Sequence, residues 1–363
     1  MKNEKVSIIQ ILKYAGAFAA CAIGSGFATG QEIMQFFSAY GQKGIWGTIV
    51  TAILFTWCGA TFMRHGYRHK LTKPKDCTTF YFGNKAGAVI EVIFQLFLFG
   101  VLSIMIAGAG ATMSEYFGIS PMIGRIGMCV LAMVTVILGL QKFTDILGSL
   151  GPAIVISAIL IGITAIFRHG NQIPMADEIL ETASVTKVDG GWLWSALLYP
   201  AFNAVVVIFL SCCLGSTATS EKEATWGGII GGVIFGGAII IMNLSLLSDL
   251  PAVLDASVPT LMLAREISPF VATLFSIIIC IGIYTTIVPS LWGIVRHFAA
   301  DGTKKSVFLT ILFSVSGLVL GLTDFKVLVN TIYPFSGYAG LILFGFMLWR
   351  SYQDKRLQIK SKL

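Results

Sequence analysis

This sequence predicts an all-α polytopic membrane protein with ten transmembrane helices, and three observations carry the prediction. Of 363 residues, 56% are hydrophobic and only 12% are charged, about half the charged share of an ordinary soluble domain. Apolar runs long enough to cross roughly 30 Å of hydrocarbon recur along the whole chain, which leaves no room for a soluble domain. The 25 Lys and Arg residues are spread unevenly over the loops between those runs.

The runs are placed at 7–37, 44–63, 86–113, 122–140, 146–167, 192–214, 226–247, 270–295, 307–322 and 327–349. The first would be roughly 46 Å long as one helix, too long for the core without strong tilt, and it contains AIGSGFATGQE, Ala22 to Glu32. The second and third flank a basic, polar loop, Arg64 to Lys85. Within the third, AGAGA at Ala107 to Ala111 reads as close helix packing. Glu91 in the third run and Asp145 beside the fifth read as solvated or paired carboxylates near a membrane face. After the fifth comes the longest outer loop, Arg168 to Gly190, where ADEILETAS suits a short interfacial helix.

The sixth run carries YPAFNA, with Pro200 and Asn203 in it. In the seventh, GGIIGGVIFGG repeats glycine at four-residue spacing through Gly227 and Gly231 and through Gly228, Gly232 and Gly236, a pattern that lets helix backbones approach closely. A second outer loop, Ser248 to Ser268, is bent by Pro251 and Pro259, with Pro269 just beyond it. Either outer loop serves equally well as a lid or a connector. The eighth run holds Gly282, Thr285 and Thr286, and the tenth ends in a basic tail from Arg350.

With a cytoplasmic N-terminus, ten spans put 19 of the 25 basic residues inside and leave Lys43, Arg125, Arg168, Lys187, Arg265 and Lys326 outside. This is the positive-inside pattern. It places both termini in the cytoplasm, makes the lipid bilayer the main partner, and accounts for the net charge of +7 without nucleic acid. Six of the seven cysteines fall inside apolar runs, where a thiol acts as a small hydrophobe and implies no disulfide framework. The four histidines lack zinc-ligand spacing.

Five runs precede the outer loop and five come after it, so a repeat of the first half in the second must be inverted. Lys85 opens the third run and Ser268 its counterpart, 183 residues on, while Phe167 and Trp349 close the fifth and tenth, 182 residues apart. A similar offset carries Gly24 to the neighbourhood of Asn203. The expected organisation is one transmembrane domain, 1–363, made of a five-helix repeat at 7–167 and an inverted one at 192–349.

AIGSGFATGQE admits three readings. A dinucleotide loop needs a strand before the glycines and an acid about 20 residues on, and the chain has neither. A lipoprotein cleavage site at Cys21 is imitated by FAAC, but more membrane comes after it rather than a secreted domain. The third reading is a broken helix: Gly24 and Gly26 each cost about 1 kcal/mol of helix propensity, and Thr29 with Glu32 forms a capping-box pattern that starts a new helix. Irregular backbone at that depth is tolerated only when buried in protein or lining a water-filled cavity. Pro200 and Asn203 at the matching position mark a second break, because Pro200 removes an amide donor and Asn203 can cap the half-helix beyond it.

Two broken helices as spans one and six within an inverted five-plus-five repeat resemble the amino acid, polyamine and organocation transporter superfamily, with its LeuT-like fold. More narrowly, GSGFATGQEI.QFF..YG, Gly24 to Gly41, is similar to the YkvI-type bacterial membrane proteins. The resemblance implies a multi-pass protein of the bacterial cytoplasmic membrane. It also implies a Na⁺ site made of the carbonyls of Ala20, Ile23 and Gly282 and the hydroxyls of Thr285 and Thr286, and a pathway lined in part by span three. Substrate would face Gly24, Ser25, Gly26, Phe27 and Thr29 in span one and Ala201, Phe202 and Asn203 in span six.

Glu32, an ionisable group inside a span, is a coupling or gating candidate, and helical rise puts it roughly 13 Å outward of the break, in a vestibule. The expected function is secondary active transport of a small polar solute, an amino acid or related amine, by alternating access coupled to Na⁺ or H⁺. No cofactor is expected beyond a bound Na⁺. The alternative is a membrane sensor or assembly partner that keeps the fold without transport. HExxH, GxSxG and paired catalytic carboxylates are missing from the sequence, which argues against an enzyme.

Overall fold

Hydroxyl caps and early prolines punctuate the chain into helices. Ser7, Ser220, Ser268 and Thr303 each accept the backbone amide three residues on, satisfying a donor that the first turn leaves orphaned. Proline opens the helices that begin at Pro74, Pro121, Pro259 and Pro269, where its missing N–H costs nothing. The computed structural model describes residues 6–139 and 151–360.

In chain order the helices are α1 (Ile8–Ala22), α2 (Ser25–Thr29), α3 (Gln31–Phe36), α4 (Gln42–His69), α5 (Pro74–Phe117), α6 (Pro121–Ile137), α7 (Gly151–His169), α8 (Ala176–Thr182), α9 (Trp192–Ser216), α10 (Glu221–Ser248), α11 (Pro259–Ile267), α12 (Pro269–Phe298), α13 (Lys304–Leu320) and α14 (Phe325–Lys360). No strand occurs among the described residues. Among the described residues, seven helical stretches are long and apolar enough to cross a bilayer: Gln42–His69, Pro74–Phe117, Gly151–Thr182, Trp192–Ser216, Glu221–Ser248, Pro269–Phe298 and Phe325–Arg356. Ile8–Ala22 and Pro121–Ile137 are shorter apolar helices, and α13 has 17 residues. Large apolar side chains such as Ile53, Val233 and Phe308 stand more than half exposed on the outside of the bundle, as lipid-facing residues do. The chain is an all-helical, multi-pass membrane protein.

Where they are described, the ten apolar runs are mostly helical; 140 and 146–150, with Asp145 between them, lie outside the described residues. The short helix expected in ADEILETAS is present as α8, and Asp177 in it accepts the Gln42 amide at 2.9 Å. Loop 248–268 carries a helical turn, Leu250–Val253, and α11. Glu91 is paired, accepting from the Thr78 hydroxyl at 3.3 Å.

The glycine rows of α10 do what their spacing predicts, with a different neighbour for each row. Gly227 and Gly231 lie against Tyr14 and Ala15 of α1. Gly228, Gly232 and Gly236 lie against the backbone or Cβ of Gly59, Thr56 and Ala52 on α4. Any Cβ on these residues would overlap its neighbour, so α10 is wedged against two helices at backbone distance. Inside that wedge Phe18, Phe55, Phe235 and Tyr199 form a fully buried aromatic cluster.

Two expected breaks take a different form. The first run is interrupted twice, at Ile23–Gly24 between α1 and α2 and at Gly30 between α2 and α3. Gly30 adopts φ 80°, a left-handed conformation open to glycine without strain. The capping box is not made: Thr29 Oγ1 donates to the Gly26 carbonyl at 2.6 Å and accepts from Gln31, and Glu32 turns elsewhere.

The sixth run is not broken. α9 passes through Pro200 as one helix, because the Ala196 carbonyl left without a partner by the proline accepts from Thr51 Oγ1 of α4 at 2.9 Å. Asn203 caps no new helix, since its Nδ2 donates to the Tyr199 carbonyl of its own helix at 3.0 Å.

Candidate functional site

The gap between α1 and α2 opens onto a cavity of about 460 Å³. At the end of α1 the Gly24 amide, which would continue the helix by bonding to Ala20, donates instead to the Ala22 carbonyl at 3.2 Å. The Ala20 carbonyl thereby loses its helical donor at the cavity wall, where Cys21, Ala22 and Ile23 also sit. The break exists because Gly24 takes an extended backbone (φ −86°, ψ −180°), and nothing lies within 4 Å of where its Cβ would be.

Opposite the break, α12 contributes Gly282, Thr285, Thr286 and Ser290. Thr285 and Thr286 both donate to the Gly282 carbonyl, at 3.0 and 2.9 Å. Ser25 Oγ lies 2.9 Å from Thr286 Oγ1 and 3.0 Å from the Met105 sulfur of α5. Gly282 permits this approach: a Cβ there would stand 3.2 Å from Ser25 Cβ. All five residues of the expected cation set, Ala20, Ile23, Gly282, Thr285 and Thr286, line this one cavity.

The expected substrate-facing residues divide. Gly24, Ser25, Gly26, Phe202 and Asn203 line the cavity. Phe27, Thr29 and Ala201 do not: the Phe27 ring packs on Phe235 at 6.2 Å, the Thr29 hydroxyl closes on Gly26, and the Ala201 backbone is pressed against Gly340 of α14. In a helix packed on several neighbours only one side can face a void, and these three occupy the packed sides. The span-three wall is made by Phe97, Leu98, Val101 and Met105 rather than AGAGA, whose Gly108 and Gly110 pack on Phe325 and Arg125.

Glu32, expected in a vestibule outward of the break, follows the left-handed turn at Gly30 and lines the cavity at the break itself at 6% exposure. Tyr199 Oη donates to its Oε2 at 3.3 Å. Its Oε1 lies against Gly26, where Tyr333 Oη is also at hand. The two tyrosines escaped the sequence reading, yet a signal was present: each immediately precedes a proline, Tyr199–Pro200 and Tyr333–Pro334, in a helix that borders the cavity.

No protein-family model matches the chain. It is 27% identical over 357 residues to the uncharacterized membrane protein YkvI of Bacillus subtilis (strain 168), covering 98% of this chain and 99% of that one. The Bacillus subtilis protein YyaD is 23% identical over 326 residues, 88% of this chain and 91% of its own. Among solved structures, a Na⁺-coupled sialic acid symporter in a substrate-bound outward-open state superposes with TM-score 0.60 at 15% identity, over 94% of this chain and 81% of that one. The Eremococcus coleocola manganese transporter, in complex with an aromatic bis-isothiourea substituted compound, gives TM-score 0.56 at 13% identity, over 94% and 78%. At such identities the likeness is one of fold. Over 98% of its length the chain is similar to the Bacillus subtilis membrane protein YkvI, and its fold is like that of these transporters.

Proposed function

We propose that this protein is a secondary active transporter of a small polar solute, an amino acid or related amine, built as ten spans in a five-plus-five inverted arrangement with 7–167 and 192–349 as its halves. The observation that carries the reading is the interrupted helix at Ile23–Gly24, whose freed Ala20 carbonyl borders a cavity inside a bundle of apolar helices. Backbone of this kind within hydrocarbon depth needs a polar cavity to border, and a cavity with a released carbonyl and hydroxyls can hold a desolvated polar solute. The transporters of the same fold support it.

The oxygen set of Ala20, Ile23, Gly282, Thr285 and Thr286 suits a hard cation, and Ser25, 2.9 Å from Thr286, adds a sixth oxygen. The threonine hydroxyls direct their protons to Gly282 and keep their lone pairs for an ion, so the residues fit Na⁺. Binding to the folded state alone raises stability by about 2.7 kcal/mol at a hundred times Kd. Na⁺, and not K⁺, is therefore expected to raise the melting temperature of the purified protein, and Thr285→Ala with Thr286→Ala is expected to abolish the rise. An unchanged Na⁺ response in the double variant removes the ion site. Saturable, gradient-driven flux in proteoliposomes separates transport from the sensor or assembly role that the same fold could serve.

The orientation rests on charge, with both termini and the loop 64–85 in the cytoplasm and 168–190 outside. An impermeant thiol reagent is expected to label Asn171→Cys in intact cells. Labelling only after lysis reverses the topology.

A further inference from the structure

Among the described residues Glu32 is the one carboxylate on the cavity wall, and no Lys, Arg or His shares that wall. It takes part in none of the ion pairs found among them. The groups that face it are two phenols, Tyr199 from α9 and Tyr333 from α14, and the Gly26 backbone of α2. The Cys21 thiol of α1 borders the same cavity. None of these carries positive charge.

A buried carboxylate that is ionised and unpaired costs more than two phenol hydrogen bonds return. Positive charge must come from outside the chain: a proton when the cavity is empty, a cation when it is filled. The surroundings favour an organic cation. Phe202 stacks on Tyr333 with ring centroids 4.8 Å apart and 3° between planes, and Tyr199 meets Phe202 edge-on at 5.1 Å. Aromatic rings beside a carboxylate attract an ammonium group and its apolar substituents. A solute carboxylate, by contrast, finds no basic side chain in this wall.

We propose that Glu32 is an exchange site at which a small organic ammonium ion and a proton compete, making the protein an amine/proton antiporter. This rests on the transporter reading above and narrows its solute to amines. Arrival of the ammonium ion releases the carboxyl proton to cavity water, and its departure lets a proton return, so one positive charge replaces another and the carboxylate is never left bare. The exchange needs no ion at Thr285 and Thr286, so the two sites are testable apart.

The probes are ethylammonium, choline and putrescine, with glycerol and leucine for comparison, added to the purified full chain in lipid nanodiscs. Infrared difference spectra are expected to show a protonated carboxyl band in the empty protein that is absent from Glu32→Gln. At least one of the three cations should bleach it, whereas glycerol and leucine leave it intact. Apparent affinity for that cation should weaken about tenfold per pH unit on the acid side of the titration, because acid protonates the group that binds it. Should Glu32→Gln fail to fold, Glu32→Asp keeps a carboxyl and should shift the band instead of removing it. A carboxyl band indifferent to all three cations, or no band assignable to Glu32 at any pH, overturns the exchange site whether or not proteoliposomes show flux. A band bleached by a cation in a protein without flux upholds the site and overturns transport.

Discussion

Gly228→Val is expected to cost most of the folded protein, while Gly237→Val in the same helix is expected to cost little. A Cβ at Gly228 would overlap the Gly59 carbonyl and the Ala60 amide, and backbone atoms of a packed helix cannot step aside as a side-chain end can. Overfilling a packed core ordinarily costs about 1–3 kcal/mol, and the obstacle here is rigid on both sides. Gly237 has nothing within 4 Å of its Cβ position, so its valine variant carries the same change of helix propensity without the clash. Thermal unfolding followed by size-exclusion chromatography compares the pair. Equal stability of the two variants would mean that α4 and α10 do not meet at backbone distance.

That pair also marks what a sequence makes legible. The rows in α10 were readable because a four-residue period is a local pattern with one physical meaning in a membrane helix. The break at Gly24 was readable for a similar reason: the run was too long to be one span, and two glycines lay near its middle. Pro200 misled, because a missing amide is visible in the chain while its remedy is not: the Thr51 hydroxyl stands on another helix, 145 residues before the Ala196 carbonyl it serves. Thr29 and Glu32 matched a local capping pattern, yet Glu32 went to Tyr199 and Tyr333 instead. Side-chain partners of that separation are set by the packing of α3, α9 and α14, which no local spacing encodes. Phe27, Thr29 and Ala201 show the same limit. Membership of a span was inferred from neighbours in sequence, but which side of the helix faces the cavity is decided by helices elsewhere.

Gly26→Val is expected to leave a folded protein that binds its solute at least tenfold more weakly, about 1.4 kcal/mol. A Cβ at Gly26 would run into the Glu32 carboxylate and stand 3.1 Å from Tyr333 Oη. Both obstacles are ends of side chains beside a cavity, so the fold can yield by moving them, in contrast to Gly228. Moving them is what harms function: Glu32 is driven from its two phenols, and the added methyl groups take space in a cavity of about 460 Å³. Gly26→Ala should show the same loss in smaller measure. Gly24→Ala supplies the comparison, since its Cβ meets nothing within 4 Å and its backbone, φ −86°, is open to any residue; it should fold normally and weaken binding less than Gly26→Val. The measurement is solute-dependent stabilisation of each purified variant, using whichever solute raises the melting temperature of the unaltered protein, beside its melting temperature without solute. If Gly26→Val melts as the unaltered protein does and binds with the same affinity, the solute does not sit between Gly26 and Glu32, and the cavity at the α1–α2 break loses its claim to be the binding site.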